Sequence, residues 1–189
     1  MLLRIQQGDV LDAATDGIIL TIDGAGPGME GNIARAFARR WPEAWREIQD
    51  ELRYPIPLGQ VFDLEIDPTL DCPFRAVLLA STLHHSDTLH EDAKKAVVKQ
   101  ALAKAIDIAV GYRITRLATA VMAGGWRLSP ESAFMAMLEA FESAYDQSEN
   151  GMAVEIYIVN ASDYHALVAL ARTLGWAVIP CVNGVQLKG

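Results

Sequence analysis

Asp16-Gly17-Ile18-Ile19-Leu20-Thr21-Ile22-Asp23 leads without interruption into Gly24-Ala25-Gly26-Pro27-Gly28-Met29-Glu30-Gly31. The first half is a mostly apolar run closed by an aspartate, the composition of a buried strand. The second half is a glycine-rich loop. Beyond it, from Gly31 to about Leu52, Ile33, Phe37 and Trp41 recur at helical spacing, and Pro42 breaks or restarts the helix. Strand, glycine loop and helix in succession indicate an α/β fold.

The rest of the chain repeats that alternation. Leu2 to Gln6 reads as a first short strand, and Tyr54-Pro55-Ile56-Pro57 as an extended connector. Gln60 to Ile66 alternates apolar and polar residues, and Arg75 to Thr82 is an apolar run fit for a central strand. His84 to His90 is a polar loop before a helix from Glu91 to Gly111, whose Val98, Leu102, Ala105 and Ala109 share one face. Ile114 to Met122 reads as another buried strand. A second glycine loop, Ala123-Gly124-Gly125-Trp126-Arg127-Leu128, follows it. Ser129-Pro130-Glu131 then opens a helix with a capping residue and a proline in the first turn. Gln147 to Gly151 reads as a short polar loop, Val154 to Val159 as a strand, and Ser162 as the cap of a last helix. Strands and helices in alternation predict an α/β architecture, here one domain over residues 1–189, with 177–189 as an edge strand or tail.

Composition narrows the function. With 51% hydrophobic and 21% charged residues in 189, the chain carries enough apolar material for a sizeable core. Its formal net charge of −8 disfavours nucleic acid as a partner, because phosphate neutralisation needs clustered Lys and Arg. No segment reads as a membrane span or a secretion signal, so a cytoplasmic protein without a membrane partner is expected. Cys72 and Cys181 form neither a CxxC pair nor a metal spacing, and no cofactor is called for.

The two glycine loops carry the functional signal. Each leaves an apolar strand and enters a helix, the place where open α/β sheets bind ligands. Glycine lets backbone approach a ligand closely, and successive N–H groups running into a helix surround an anion. The plain alternative is that the glycines only form tight turns. Gly24-x-Gly26-x-Gly28-x-x-Gly31 lacks the acidic ribose partner of a dinucleotide fingerprint, and no Gly-Lys-Ser/Thr phosphate loop occurs.

The order of these motifs resembles the macrodomain family. Gly8-Asp9-Val10 is similar to the family's Gly-Asp-Ile after the first strand. Gly28-Met29-Glu30-Gly31-Asn32-Ile33 is similar to its Gly-Val-Asp-Gly-Ala-Ile, and Gly125-Trp126-Arg127-Leu128-Ser129-Pro130 to its Gly-Ile-Tyr-Gly-Tyr-Pro. The resemblance implies a three-layer α/β/α sandwich with a mixed central sheet. It implies a cleft for ADP-ribose or a related nucleotide, a small-molecule partner. Asp9 would accept a hydrogen bond from the adenine amino group beside the Val10 amide. Gly24, Gly26, Gly28 and Gly31, with Gly124, Gly125, Trp126 and Arg127, would hold the diphosphate and distal ribose. Val159 and Asn160 would border the adenine.

The chain departs from the family where Asn-Ala-Ala-Asn is expected after the second strand. It reads Thr21-Ile22-Asp23-Gly24, so the asparagine that orients the distal ribose is lost or replaced by Asp23. Asp23 and Glu30 are the loop acids placed to activate water for hydrolysis of an ADP-ribosyl bond. Glu30 serves equally as an acid favouring a helix N-terminus. His85 falls at the cleft rim in this layout. The cluster of His84, His85, Asp87 and His90 matches no metal motif and reads as a polar loop. Three functions stay open: an ADP-ribosyl hydrolase, a nucleotide sensor without chemistry, and a degenerate assembly protein that binds no nucleotide.

Overall fold

The computed structural model describes residues 1–28, 31–123, 128–145 and 151–189. Among these, β1 (Leu2–Gln7), a 3-10 turn (Val10–Asp12), β2 (Gly17–Asp23), α1 (Asn32–Arg40), α2 (Pro42–Glu51), β3 (Val61–Glu65) and β4 (Ala76–Leu83) form the first half. α3 (Glu91–Gly111), β5 (Arg116–Ala120), α4 (Pro130–Tyr145), β6 (Ala153–Ile158), α5 (Ala161–Thr173), β7 (Ala177–Cys181) and β8 (Gly184–Lys188) complete it. Pro42 starts α2 at its first turn, where the missing N–H costs nothing, so one periodic stretch becomes two helices.

The strands make one mixed sheet in the order β3-β4-β2-β5-β6-β1-β8-β7. β4, β2, β5, β6 and β1 are parallel, and β3 and the β7–β8 hairpin flank them antiparallel. Alternation of side chains sorts the two faces. Leu3 and Ile5, Ile19, Leu78, Leu117 and Ile156 point into a core shared with α3, α4 and α5. Ile18, Leu20 and Ile22, with Val77 and Leu79, point into a second core with α1 and α2, where Phe37, Trp41 and Phe74 stack. Helices on both faces of a mixed sheet give a three-layer α/β/α sandwich.

Two expectations are corrected. The cap of α5 is Asn160, whose Oδ1 accepts the Ser162 N–H at 2.8 Å and the Ser162 hydroxyl at 2.8 Å. Both residue types cap helices, and here the earlier one takes the position. The tail is a hairpin, not one strand: β8 pairs with β1 through Leu3↔Leu187 and Ile5↔Val185, and β7 is the outer edge. Pro180 is tolerated there because an edge strand can spare a ladder N–H.

Candidate functional site

Parallel pairing sends the chain out of five strands along one edge of the sheet. In spatial order these exits are His84-His85 after β4, Gly24 to Gly28 after β2, Val121 to Ala123 after β5, Val159-Asn160 after β6 and Gly8-Asp9 after β1. The two glycine loops therefore leave neighbouring strands, β2 and β5. Asp9 and Val159, 150 residues apart in the chain, are brought together by Gln7↔Ile158 pairing and by the Gly8 N–H on the Ile158 carbonyl at 3.0 Å.

The first loop is held by its own aspartate. Asp23 is 4% exposed. Its Oδ1 accepts the Ala25 N–H at 2.9 Å and its Oδ2 accepts the His85 N–H at 2.9 Å. His85 Nδ1 also lies 3.3 Å from Oδ2, and the imidazole is 53% exposed. One carboxylate thus ties the β2 exit to the β4 exit. His84 differs from its neighbour. Its Nε2 meets the Ile56 carbonyl at 2.8 Å and its Nδ1 lies 3.5 Å from Asp87, so it braces the connector between α2 and β3.

The loop glycines have different causes. A Cβ on Gly24 would lie 2.1 Å from Ser81 Oγ and 2.3 Å from the Ile56 carbonyl, so close packing demands glycine there. Gly31 approaches the Thr21 carbonyl in the same way, at 2.8 Å. Gly28 has φ +78, a conformation that favours glycine, and a Cβ on Gly26 or Gly28 would meet no described atom within 4 Å. Gly31 is the N-cap of α1, and no described side chain caps that helix.

At the far end of the edge, Asp9 caps the 3-10 turn, and its Oδ1 accepts the Leu11 N–H at 2.9 Å. Val10 is buried, leaving its backbone to do any work, while Val159 is 73% exposed. Asn160 commits its oxygen to the α5 cap. Glu30, Gly124, Gly125, Trp126 and Arg127 lie outside the described residues. The base of the second loop is described: the Leu128 N–H reaches the Ala123 carbonyl at 3.0 Å, and Ser129 caps α4 by accepting the Ser132 N–H at 3.1 Å. Among the described residues no group of three His, Cys, Asp or Glu could hold a metal ion.

Sequence reasoning did not anticipate the polar patch beside Asp9. A cavity of about 460 Å³ lies there, lined by Arg4, Gln6, Arg116, Tyr157 and Asn183 among others. Three of its lining residues meet Glu155, fully buried, which accepts Arg4 Nη1 at 3.1 Å, Arg116 Nε at 3.0 Å and the Tyr157 hydroxyl at 3.1 Å. Burial, and then the Glu155 charge, push the Tyr157 hydroxyl up to about 12. The cue in the sequence is a charge within each of three otherwise strand-like runs. A larger apolar cavity, about 750 Å³, lies at the opposite edge between Met1, Phe141, Trp176 and Leu187.

Solved structures share this fold. A point mutant of the Oceanobacillus iheyensis macrodomain superposes with a TM-score of 0.74 at 16% identity, over 91% of this chain and 92% of that one. The chain has a macrodomain-like fold. The same Oceanobacillus macrodomain with ADP gives a TM-score of 0.73 at 15% identity over 91% and 90% of the two chains. A second point mutant, solved with ADPR, gives 0.71 at 15% identity over 91% and 92%. The macrodomain of Thermus aquaticus DarG matches at 0.60 and 20% identity, over 82% of this macrodomain-like chain and 97% of that one. No protein-family model and no curated protein matches the sequence. Among the described residues no helix is long and apolar enough to cross a membrane.

Proposed function

We propose that this macrodomain-like chain binds ADP-ribose or a related nucleotide along the edge where β2, β5, β6 and β1 end. The observation that carries the reading is the loop from Gly24 to Gly28. It is held by Asp23, a Cβ on Gly26 would meet no described atom within 4 Å, and it runs toward the N-terminus of α1. Glycine backbone beside a helix N-terminus suits a diphosphate, and it does so without clustered Lys and Arg in a chain of net charge −8. The adenine would lie near Asp9 and Val159, and the distal ribose near Asp23. The Oceanobacillus macrodomain, solved with ADP and with ADPR, supports the ligand class.

Hydrolysis of an ADP-ribosyl bond is the activity proposed for this site. One observation favours the alternative of a sensor without chemistry: both oxygens of Asp23 already accept backbone N–H groups, which leaves it poorly suited to abstract a proton itself. Calorimetry with ADP-ribose, AMP and NAD tests the binding. Heat with ADP-ribose is the expected result, and no heat with any of the three leaves only the assembly reading. Turnover of an ADP-ribosylated peptide then separates the hydrolase from the sensor.

A further inference from the structure

We propose that the cavity beside Asp9 is a second binding site of this chain, and that Arg4 and Arg116 there take the oxyanion group of a small molecule, a phosphate monoester or a carboxylate. The fold leaves room for it. Arg4, Glu155 and Ala118 stand in register across β1, β6 and β5, on the sheet face that carries the α1 and α2 core. Arg116, two residues before Ala118, shares that face. On it α1 packs against β2, whereas β5 and β6 meet the short 3-10 turn at Val10–Asp12. The cavity of about 460 Å³ lies beside that turn, a volume within the range of small-molecule sites.

Two guanidiniums share one carboxylate there. Glu155 Oε1 accepts both Arg4 Nη1 at 3.1 Å and Arg116 Nε at 3.0 Å, and Oε2 accepts Arg116 Nη2 at 3.2 Å and the Tyr157 hydroxyl at 3.1 Å. A buried carboxylate must be paired, but one arginine meets that need, and the second leaves a positive charge uncompensated. Arg4 is the less satisfied of the two. Nη1 makes its one side-chain hydrogen bond among the described residues, and its Nε is buried with no acceptor. An entering anion draws this guanidinium toward it and supplies the missing acceptor. The side chains remain 28% and 41% exposed, and both line the cavity. Asp9 and Asp12 line it too. Asp12 is paired with Arg40 Nη1 at 2.6 Å, and Asp9 Oδ1 accepts the Leu11 N–H at 2.9 Å. Three arginines against three carboxylates make the surroundings neutral, so an anion meets less repulsion here than the chain's net charge of −8 implies. Planar guanidiniums then select an oxyanion, which each can hold through paired N–H groups.

The test titrates the full chain with inorganic phosphate and, separately, with succinate, against sodium chloride at equal ionic strength. The readout is the arginine Nε–H signals in proton–nitrogen NMR spectra. Expected are saturable shifts of the Arg4 and Arg116 signals with one shared Kd, absent with chloride. Arg116→Lys keeps the charge and loses the fork, and should weaken binding about tenfold or more, read on Arg4. Arg4→Lys should do the same, read on Arg116. Glu155→Gln frees both guanidiniums and should tighten binding, a response that a purely structural network would not give. Circular dichroism of each variant checks that the fold survives. Tighter binding of phosphate assigns a phosphate ester, and tighter binding of succinate a carboxylate. No saturable shift of either arginine in the parent overturns the proposal, and so does a Kd unchanged in both lysine variants. Phosphate that moves only the backbone amides of the glycine loops overturns it as well.

Discussion

Gly24→Ala and Gly26→Ala are two residues apart, and the structure assigns them opposite outcomes. The Cβ of alanine at 24 would fall 2.1 Å from Ser81 Oγ and 2.3 Å from the Ile56 carbonyl. The Ser81 hydroxyl, fully buried, donates to that same carbonyl at 3.0 Å, and the Ile56 N–H is fixed on the Gly24 carbonyl at 2.8 Å. Relief requires Ser81 to give up its bond, about 1–3 kcal/mol for an unsatisfied buried group. It also requires the connector backbone to shift, about 1–3 kcal/mol of overpacking. The sum is about 2–6 kcal/mol, which at about 2–4 °C per kcal/mol for a domain of this size centres on a fall of about 12 °C in melting temperature. Alanine at 26 meets no described atom within 4 Å and should hold or gain stability by about 0.4–1 kcal/mol through a less flexible unfolded chain. Its effect should appear in calorimetry as weaker ADP-ribose binding. Thermal denaturation of both variants decides the matter. Equal melting temperatures would refute the claim that packing fixes Gly24 and that the loop opens only beyond it.

Asn160→Ala removes the α5 cap and should cost about 1 kcal/mol in denaturant titration. Burial raises the Asp16 carboxyl, but the N–H groups of Thr115 and Arg116 outweigh it and hold the carboxyl below the ordinary aspartate value of 3.8. A depressed folded value means that this stability is present above 3.8 and is lost as pH falls through the folded pKa. Asp16→Asn should therefore flatten the acid limb of the stability profile. Tyr157 has the opposite sign: its contribution is complete below pH 10.0 and disappears as pH rises toward about 12. Ultraviolet titration should show Tyr157 ionising late, and Glu155→Gln should bring it earlier.

The strands were legible because each is an apolar or alternating run between polar turns. Ile18 to Leu20 and Val77 to Ala80 are buried on both faces, and nothing but a central strand suits them. The tail was harder. Val185 and Leu187 alternate toward the core, yet Pro180 obscures the partner strand, and only pairing with β1 makes a hairpin of it. Within the site, the sequence marks glycines without separating their causes. Gly24 is explained by Ser81 and Ile56, contacts set by the fold and invisible to local spacing. Asp23 carries the right charge for chemistry, but its engagement with Ala25 and His85 follows from tertiary contact and from a register shift, Ile22 facing Ser81 and Asp23 facing Leu83, that gives β4 one extra residue. Which of two adjacent histidines meets Asp23 follows from that same irregularity. Nothing in the order His84-His85 discloses it.

The placement of β1 bears on how the chain is made. Its neighbours are β6 and β8, residues 153–158 and 184–188, so β1 has no sheet partner until those distant segments have been synthesised. Leu3 and Ile5 must wait uncovered during that interval, and the cost of closing so long a loop falls on a single late event. Docking of this one short strand then bridges β6 and β8 at once. It also draws Asp9 to the rim beside Val159, so that rim is completed only after β6 has been made.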